Sequence, residues 1–132
     1  MTHTVHDIGV ASQIAAYSDA IEVAPNLRWL LTSGTPGLSR DGTLPDDITG
    51  QAELAWEHIG GMLERAGMTV DDIVKVTQYL TRAEDIPAYG KVRTRFLGSV
   101  RPASMLLVIP QLVRPEFLVE VEVVAAKARP AG

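Results

Sequence analysis

The clearest pattern in the chain is a run of apolar residues at helical spacing between positions 46 and 67. One buried helical face is predicted from the three- and four-residue intervals of Ala52, Ala55, Ile59, Met62 and Ala66. Asp46 and Asp47 stand where N-cap and first-turn carboxylates belong, and Gly67 suits the left-handed residue that ends many helices. These signals together predict a long helix that packs on one side.

A second, shorter helix is predicted over residues 85–96. Pro87 fits its first turn, and Gly98 follows its last. Its apolar positions share one side, and they are Ala88, Tyr89, Val92 and Phe96.

Five segments have the β-branched, apolar or alternating character of strands. The turn signal Pro25-Asn26 separates the first two, 17–23 and 27–32, and predicts that they form a hairpin. The other three segments are 73–80, 104–109 and 118–126.

The order of these elements predicts an α+β (α/β) sandwich, in which two helices cover one face of a sheet through two right-handed crossovers. In the last strand Val119, Val121 and Val123 point one way, and Glu120 and Glu122 point the other. Helices on one face leave the other face open, and an apolar open face predicts self-association.

No repeat, low-complexity tract or linker divides the sequence. We therefore expect one domain over 1–132, with its core at about 17–126. The segment before the core contains His3 and His6 and is expected to be mobile, and the last residues are expected to be frayed.

Charge and composition narrow the class of protein. A formal charge of −4 and a pI of about 5.3 argue against a surface for nucleic-acid phosphates. Cysteine is absent, so disulfides and thiol chemistry are excluded. The N-terminus does not resemble a signal peptide, and no apolar stretch reaches membrane-spanning length, so a cytoplasmic location away from membranes is expected.

Glu120 and Glu122 are the most informative acids, because they share one strand face within a very apolar segment. They are either a solvated strand face or a general acid/base site whose carboxyl pKa rises on partial burial. His3, His6 and His58 have no metal-ligand spacing, so no metal is expected, and His58 is interpreted as a structural or surface-exposed residue.

Two arginines offer bidentate contacts to a carboxylate. Arg101 and Arg114 each precede a proline, which is more typical of a residue in a surface loop. The sequence leaves both interpretations open.

Several segments, in this order, resemble the YjgF/Rid (reactive intermediate deaminase) family, also called endoribonuclease L-PSP-like. The similarity spans about residues 17–126, and its order and spacing carry it more than any single piece. The segments are Tyr17-Ser18-Asp19-Ala20, Leu31-Thr32-Ser33-Gly34, Gln51-Ala52, the stretch 71–81 and Val119-Glu120-Val121-Glu122.

The resemblance implies a chorismate-mutase-like fold of the bacillus type and a homotrimer. Small-molecule ligands would bind in clefts between subunits, with two chains contributing to each cleft. Active members hydrolyse imines and enamines to ketoacids and ammonia without a cofactor.

The resemblance also implies roles for individual residues. Glu120 matches the carboxylate proposed to position or activate water, and Tyr17 matches the cleft tyrosine. The residues expected around the substrate are Gly34, Ala103, Ser104 and Leu106, and Arg101 is a candidate to substitute for the missing family arginine.

The chain departs from the family where an arginine normally follows Pro-Ala and holds the substrate carboxylate. Ser104 stands there, and a neutral hydroxyl does not replace a planar cation with five donors. Gly90 aligns with a position commonly held by Asn, and Leu106 with one commonly held by Cys. The cleft is therefore expected to be more apolar than in the deaminases.

Two functions remain open at this point. One is a hydrolase or deaminase acting on an imine, enamine or related carbonyl compound that is less acidic than an amino-acid imine. The alternative is a non-catalytic trimer that binds a small metabolite or regulates a partner. Ribonuclease activity is disfavoured by the acidic pI, the two Trp, three Tyr and two Phe, and the lack of paired histidines.

Overall fold

A computed structural model describes residues 3–130 of the chain. Within these residues it has two α-helices and seven strands. In chain order they are His3–Val5 (β1), Ile21–Val23 (β2), Arg28–Leu31 (β3), Thr35–Pro36 (β4), Ile48–Arg65 (α1), Ile73–Leu80 (β5), Ile86–Leu97 (α2), Ala103–Val108 (β6) and Val119–Lys127 (β7).

The main sheet has the strand order β3-β7-β5-β6, and β4 also pairs with β7. β5 and β6 are parallel, whereas β3, β4 and β5 each run antiparallel to β7. β4 and β5 therefore run in the same direction, with α1 connecting them, and α2 connects β5 to β6. Both predicted β-α-β connections are present, and the α+β sandwich with helices on one sheet face is confirmed. The right-handed sense of the two connections stays a prediction.

The first helix forms as its sequence signals predict. The Asp47 side chain accepts a hydrogen bond from the Gly50 N–H at 2.8 Å, which caps α1. Gly67 follows with φ +70°, a backbone conformation that costs glycine little. The two helices contact each other through stacked rings of Trp56 and Phe96, 6.2 Å apart. Across residues 3–130, neither helix is both long and apolar enough to cross a bilayer.

The predicted hairpin over 17–32 is wrong. β2 pairs with β1, and β3 pairs with β7 in a register that sets Leu30 beside Ala125. Asn26, with φ +64°, turns the chain away between the two segments. The nine residues of β7 offer β3 a long partner, and in this pairing Leu30 packs against the core.

The N-terminal segment is also better ordered than expected. Its first described residues form β1, and His3 Nε2 lies 3.1 Å from the carbonyl oxygen of Ala126 at the end of β7. This contact ties the small two-stranded sheet to the main one.

The two faces of the main sheet differ as the alternation in β7 predicts. Val119, Val121 and Val123 are buried beneath the helices. The open face carries Glu120 and Glu122 among exposed apolar residues of the edge strands, namely Trp29, Leu31, Met105 and Leu107. The side chain of Leu31 is 70% exposed in a single chain.

Gln51 of α1 connects the helix layer to the start of β7. Its buried side-chain amide donates to the carbonyl oxygens of Pro45 and Glu116, at 3.0 and 3.2 Å, and accepts from the Leu118 N–H at 2.8 Å. Three main-chain groups in two loops therefore depend on one side chain.

Replacing Gln51 by leucine keeps a side chain of similar size but removes all three hydrogen bonds. Leaving these groups unpaired is expected to lower the free energy of unfolding by about 2–4 kcal/mol. Urea unfolding at one fixed protein concentration measures the loss. Glu64→Gln, on the exposed side of the same helix, is the control and should change stability by less than about 0.5 kcal/mol. Equal stability of Gln51→Leu and wild type would contradict the role of the amide.

Candidate functional site

The carboxylate of Glu120 lies directly against the backbone of Gly34. Glu120 is opposite Pro36 of β4 on one side and Tyr79 of β5 on the other. A Cβ atom added to Gly34 would be only 2.5 Å from Glu120 Oε1, so no other residue fits there without moving the carboxylate. The structure thus brings together two residues that the family resemblance assigns to one cleft.

Two physical effects act on the Glu120 carboxyl group. Partial burial raises its pKa, and the nearby Glu122 carboxylate raises it further. The hydroxyl of Tyr79 is 3.4 Å from Glu122 Oε1, so it can donate to Glu122. A carboxylate with a raised pKa is a stronger base, as removal of a proton from water requires.

Ser104 and Leu106 lie on the opposite face of the sheet from Glu120. In the parallel pairing of β5 and β6, Ser104 is beside Val76 and Leu106 is beside Gln78. Gln78 is fully buried and donates through Nε2 to Ser104 Oγ at 3.0 Å. Because Glu120 points away from the helices, a cleft containing both Ser104 and Glu120 needs two chains.

Tyr17 lies beside the start of β6. The neighbouring Ser18 forms an isolated parallel bridge with Ala103, and its N–H donates to the Pro102 carbonyl at 3.1 Å. Tyr17 and Ala103 therefore lie at the β6 edge of the sheet, where Ser104 of the same chain also lies.

The two arginines singled out in the sequence are engaged locally. The exposed Arg101 donates to the carbonyl oxygens of Gly98 and Val100, at 2.8 and 3.1 Å, in the turn after α2. It also lines a cavity of about 650 Å³ beside the N-terminal sheet, whose lining does not include Glu120 or Ser104. The guanidinium of Arg114 lies 5.4 Å above the ring of Phe117.

Sequence reasoning missed a third arginine, Arg93. It is half-buried on α2, and its Nη1 is 3.4 Å from Gln78 Oε1, the amide that also contacts Ser104. A usable signal was present, because Gly90 aligns with a cleft position of the family and Arg93 follows it by about one helical turn.

His58 has a structural contact, since its Nε2 lies 2.8 Å from the carbonyl oxygen of Leu38. Residues 3–130 contain no group of three or more His, Asp or Glu side chains placed to hold a metal ion.

Comparison with known proteins agrees with this fold. The family model described as Endoribonuclease L-PSP matches residues 9–127. A RutC family protein of Haemophilus influenzae is 30% identical over 132 residues, covering 96% of this chain and 98% of its own. TdcF of Escherichia coli, a candidate reactive intermediate deaminase, is 28% identical over 103 residues, covering 75% and 79%.

Among solved structures, the Rid-family protein YyfB of Yersinia pestis superposes with a TM-score of 0.83 over 96% of this chain and 100% of its own. At 21% identity this likeness concerns the fold. The chain belongs to the endoribonuclease L-PSP family, which is the YjgF/Rid family that its sequence resembles.

The charge of Glu122 is expected to set part of the Glu120 pKa. Glu122→Gln removes a like charge, so the pKa of Glu120 should fall towards the ordinary value for a glutamate. Carbon-detected NMR titration of the glutamate carboxyl groups measures this shift. Glu64→Gln, on α1, should leave the Glu120 titration unchanged, and an unaltered pKa in Glu122→Gln would show that burial alone raises it.

Proposed function

We propose that the chain acts as a trimeric hydrolase of imines, enamines or related carbonyl compounds, in clefts formed between neighbouring chains. The observation that carries this proposal is the partly buried Glu120 carboxylate with a raised pKa, held against the bare backbone of Gly34. The similarity to TdcF, a candidate reactive intermediate deaminase, supports the same reaction class.

The chemistry needs only water and a base. Glu120 takes a proton from a water molecule, and the resulting hydroxide adds to the imine carbon. Glu120 returns this proton to the nitrogen, which completes a carbinolamine. The hydroxyl proton of the carbinolamine then passes to the nitrogen, and the C=O bond forms as the carbon–nitrogen bond breaks, which releases ammonia and a carbonyl compound. The Gly34 N–H and the Tyr17 hydroxyl orient the substrate in this scheme.

Assembly completes the cleft. Glu120 and Gly34 of one chain meet Ser104 and Leu106 of a neighbour, because these pairs lie on opposite faces of one sheet. The exposed apolar side chains of the open face supply the association surface.

Recognition of the substrate at position 104 differs from that in relatives with an arginine after Pro-Ala. Ser104 offers one hydroxyl, and its oxygen already accepts a hydrogen bond from Gln78. Recognition at position 104 therefore involves no ion pair.

The open face gives a direct test of assembly. Leu31→Asp puts a charge on the apolar open face and should convert the trimer to monomers, as measured by multi-angle light scattering. Ile86→Asp is the matched control, because Ile86 is also an exposed aliphatic residue but begins α2. A wild-type chain that is a stable monomer at micromolar concentration would contradict the proposed assembly.

An imine-hydrolysis assay tests the reaction. An amino-acid oxidase generates imines in situ, and semicarbazide traps whatever remains. We expect the wild type to lower semicarbazone formation and Glu120→Gln to abolish this effect while remaining trimeric.

Loss of the Glu120 charge should not destabilise the fold. The raised pKa means that the folded chain favours the protonated carboxyl more than the unfolded chain does, so ionisation above that pKa disfavours folding. If the wild type is trimeric but hydrolyses no imine, and Ser104→Arg hydrolyses none either, the non-catalytic binding function is favoured.

A further inference from the structure

The buried amide of Gln78 has a fixed orientation. The indole N–H of Trp56 is only a donor, so the Tyr89 hydroxyl accepts from it at 3.3 Å and donates onward to Gln78 Oε1 at 2.7 Å. Burial raises the pKa of Tyr89, which keeps this hydroxyl protonated. The Nε2 of Gln78 then donates to Ser104 Oγ and to the carbonyl oxygen of Met105, at 3.0 and 2.9 Å.

This orientation decides what Ser104 offers to a ligand. Because its oxygen accepts from Gln78, its own hydrogen is available to donate to another group. The hydroxyl therefore favours a ligand with an acceptor at this place.

Arg93 brings a positive charge to the same amide. Its Nη1 is 3.4 Å from Gln78 Oε1, a long contact to a neutral oxygen that leaves most of its five N–H donors for other partners. Two other arginines in or just before α2 form ion pairs, since Arg95 pairs with Glu53 and Arg82 with Asp85. Within residues 3–130, Arg93 has no carboxylate within ion-pair distance.

Open space lies about one helical turn before this cation. Gly90 precedes Arg93 by about one helical turn, and a Cβ atom built on Gly90 would have no atom within 4 Å. The face of β6 that carries Ser104 continues with Leu106, which is half-buried, and Val108, which is 45% exposed. Arg93 and Ser104 thus offer hydrogen-bond donors, and Leu106 and Val108 offer aliphatic surface beside them. This combination suits a small anion with a short apolar group.

We propose that Arg93 is the specificity-determining residue of the cleft and binds a carboxylate of the ligand, with the Ser104 hydroxyl as a second donor. The apolar part of the ligand lies over Leu106 and Val108. This assignment rests on the proposed cleft but not on turnover. It revises the expectation of a less acidic substrate, because the cation missing at position 104 is supplied from α2.

The test compares two probes of nearly the same shape, isobutyrate and its neutral amide, isobutyramide. Each probe is titrated into the wild-type protein, and binding is measured by calorimetry and by the side-chain N–H signals of arginine in NMR. Isobutyrate should bind more tightly than isobutyramide. Arg93→Gln should weaken the binding of isobutyrate about 10- to 100-fold and leave the binding of isobutyramide nearly unchanged. Arg93→Lys keeps the charge but loses the planar fork, so its affinity for isobutyrate should lie between those of the wild type and Arg93→Gln.

Two controls separate this role from a general effect on folding. Arg95→Gln removes a cation two residues away that already pairs with Glu53, and it should bind isobutyrate like the wild type. Adding Ser104→Arg to Arg93→Gln returns a cation to the cleft and should restore much of the affinity. Thermal unfolding of each variant checks that the trimer is intact.

The proposal is overturned if Arg93→Gln and Arg93→Lys both bind isobutyrate as tightly as the wild type, or if the wild type does not prefer isobutyrate to isobutyramide. Failure of the hydrolase proposal has a different signature. In that case no imine is hydrolysed, but isobutyrate still binds in an Arg93-dependent way.

Discussion

The buried amide of Gln78 is the interaction on which the arrangement of β5, β6 and the helices depends. It is fully buried, and both its oxygen and its nitrogen are hydrogen-bonded to residues of α2 and β6. A buried amide left unpaired costs far more than a satisfied one contributes, so its partners must stay in place. The edge strand that carries Ser104 is thereby held at a set distance from the helix that carries Arg93.

Strand alternation imposes the second constraint. Because successive side chains of a strand point to opposite faces, the side chains of Glu120 and Ser104 within one chain are separated by the thickness of the sheet. Chemistry that uses both must therefore join different chains. The exposed apolar side chains around Glu120 offer a hydrophobic surface for such an association.

Local signals explain which elements the sequence predicted well. The capped and periodic helix α1 and the strand at 73–80 were found with close boundaries, because caps, glycines and side-chain periodicity lie within the segments themselves. The pairing of β2 and β3 was predicted wrongly, because their partners are β1 and β7, and β7 is about a hundred residues away from β3. Nothing local in 17–32 encodes that choice.

In the candidate site, too, the sequence predicted features encoded within one segment and missed a contact between two segments. The two faces of β7 were evident from the alternation of valine and glutamate, and the family resemblance assigned Gly34 and Glu120 to the cleft without predicting that they touch. The contact between Arg93 and Gln78 joins a helix to a strand through side chains, and the apolar periodicity that predicts a helix gives no weight to a polar residue at its margin.

The close approach of Gly34 and Glu120 makes the position of the Glu120 carboxylate depend on the absence of a side chain at residue 34. The space that a methyl group would need at position 34 is occupied by the carboxylate of residue 120. A larger residue at position 34 fits only if the side chain at position 120 is shortened or turned away. A substitution at position 34 therefore also changes where the carboxylate at position 120 lies.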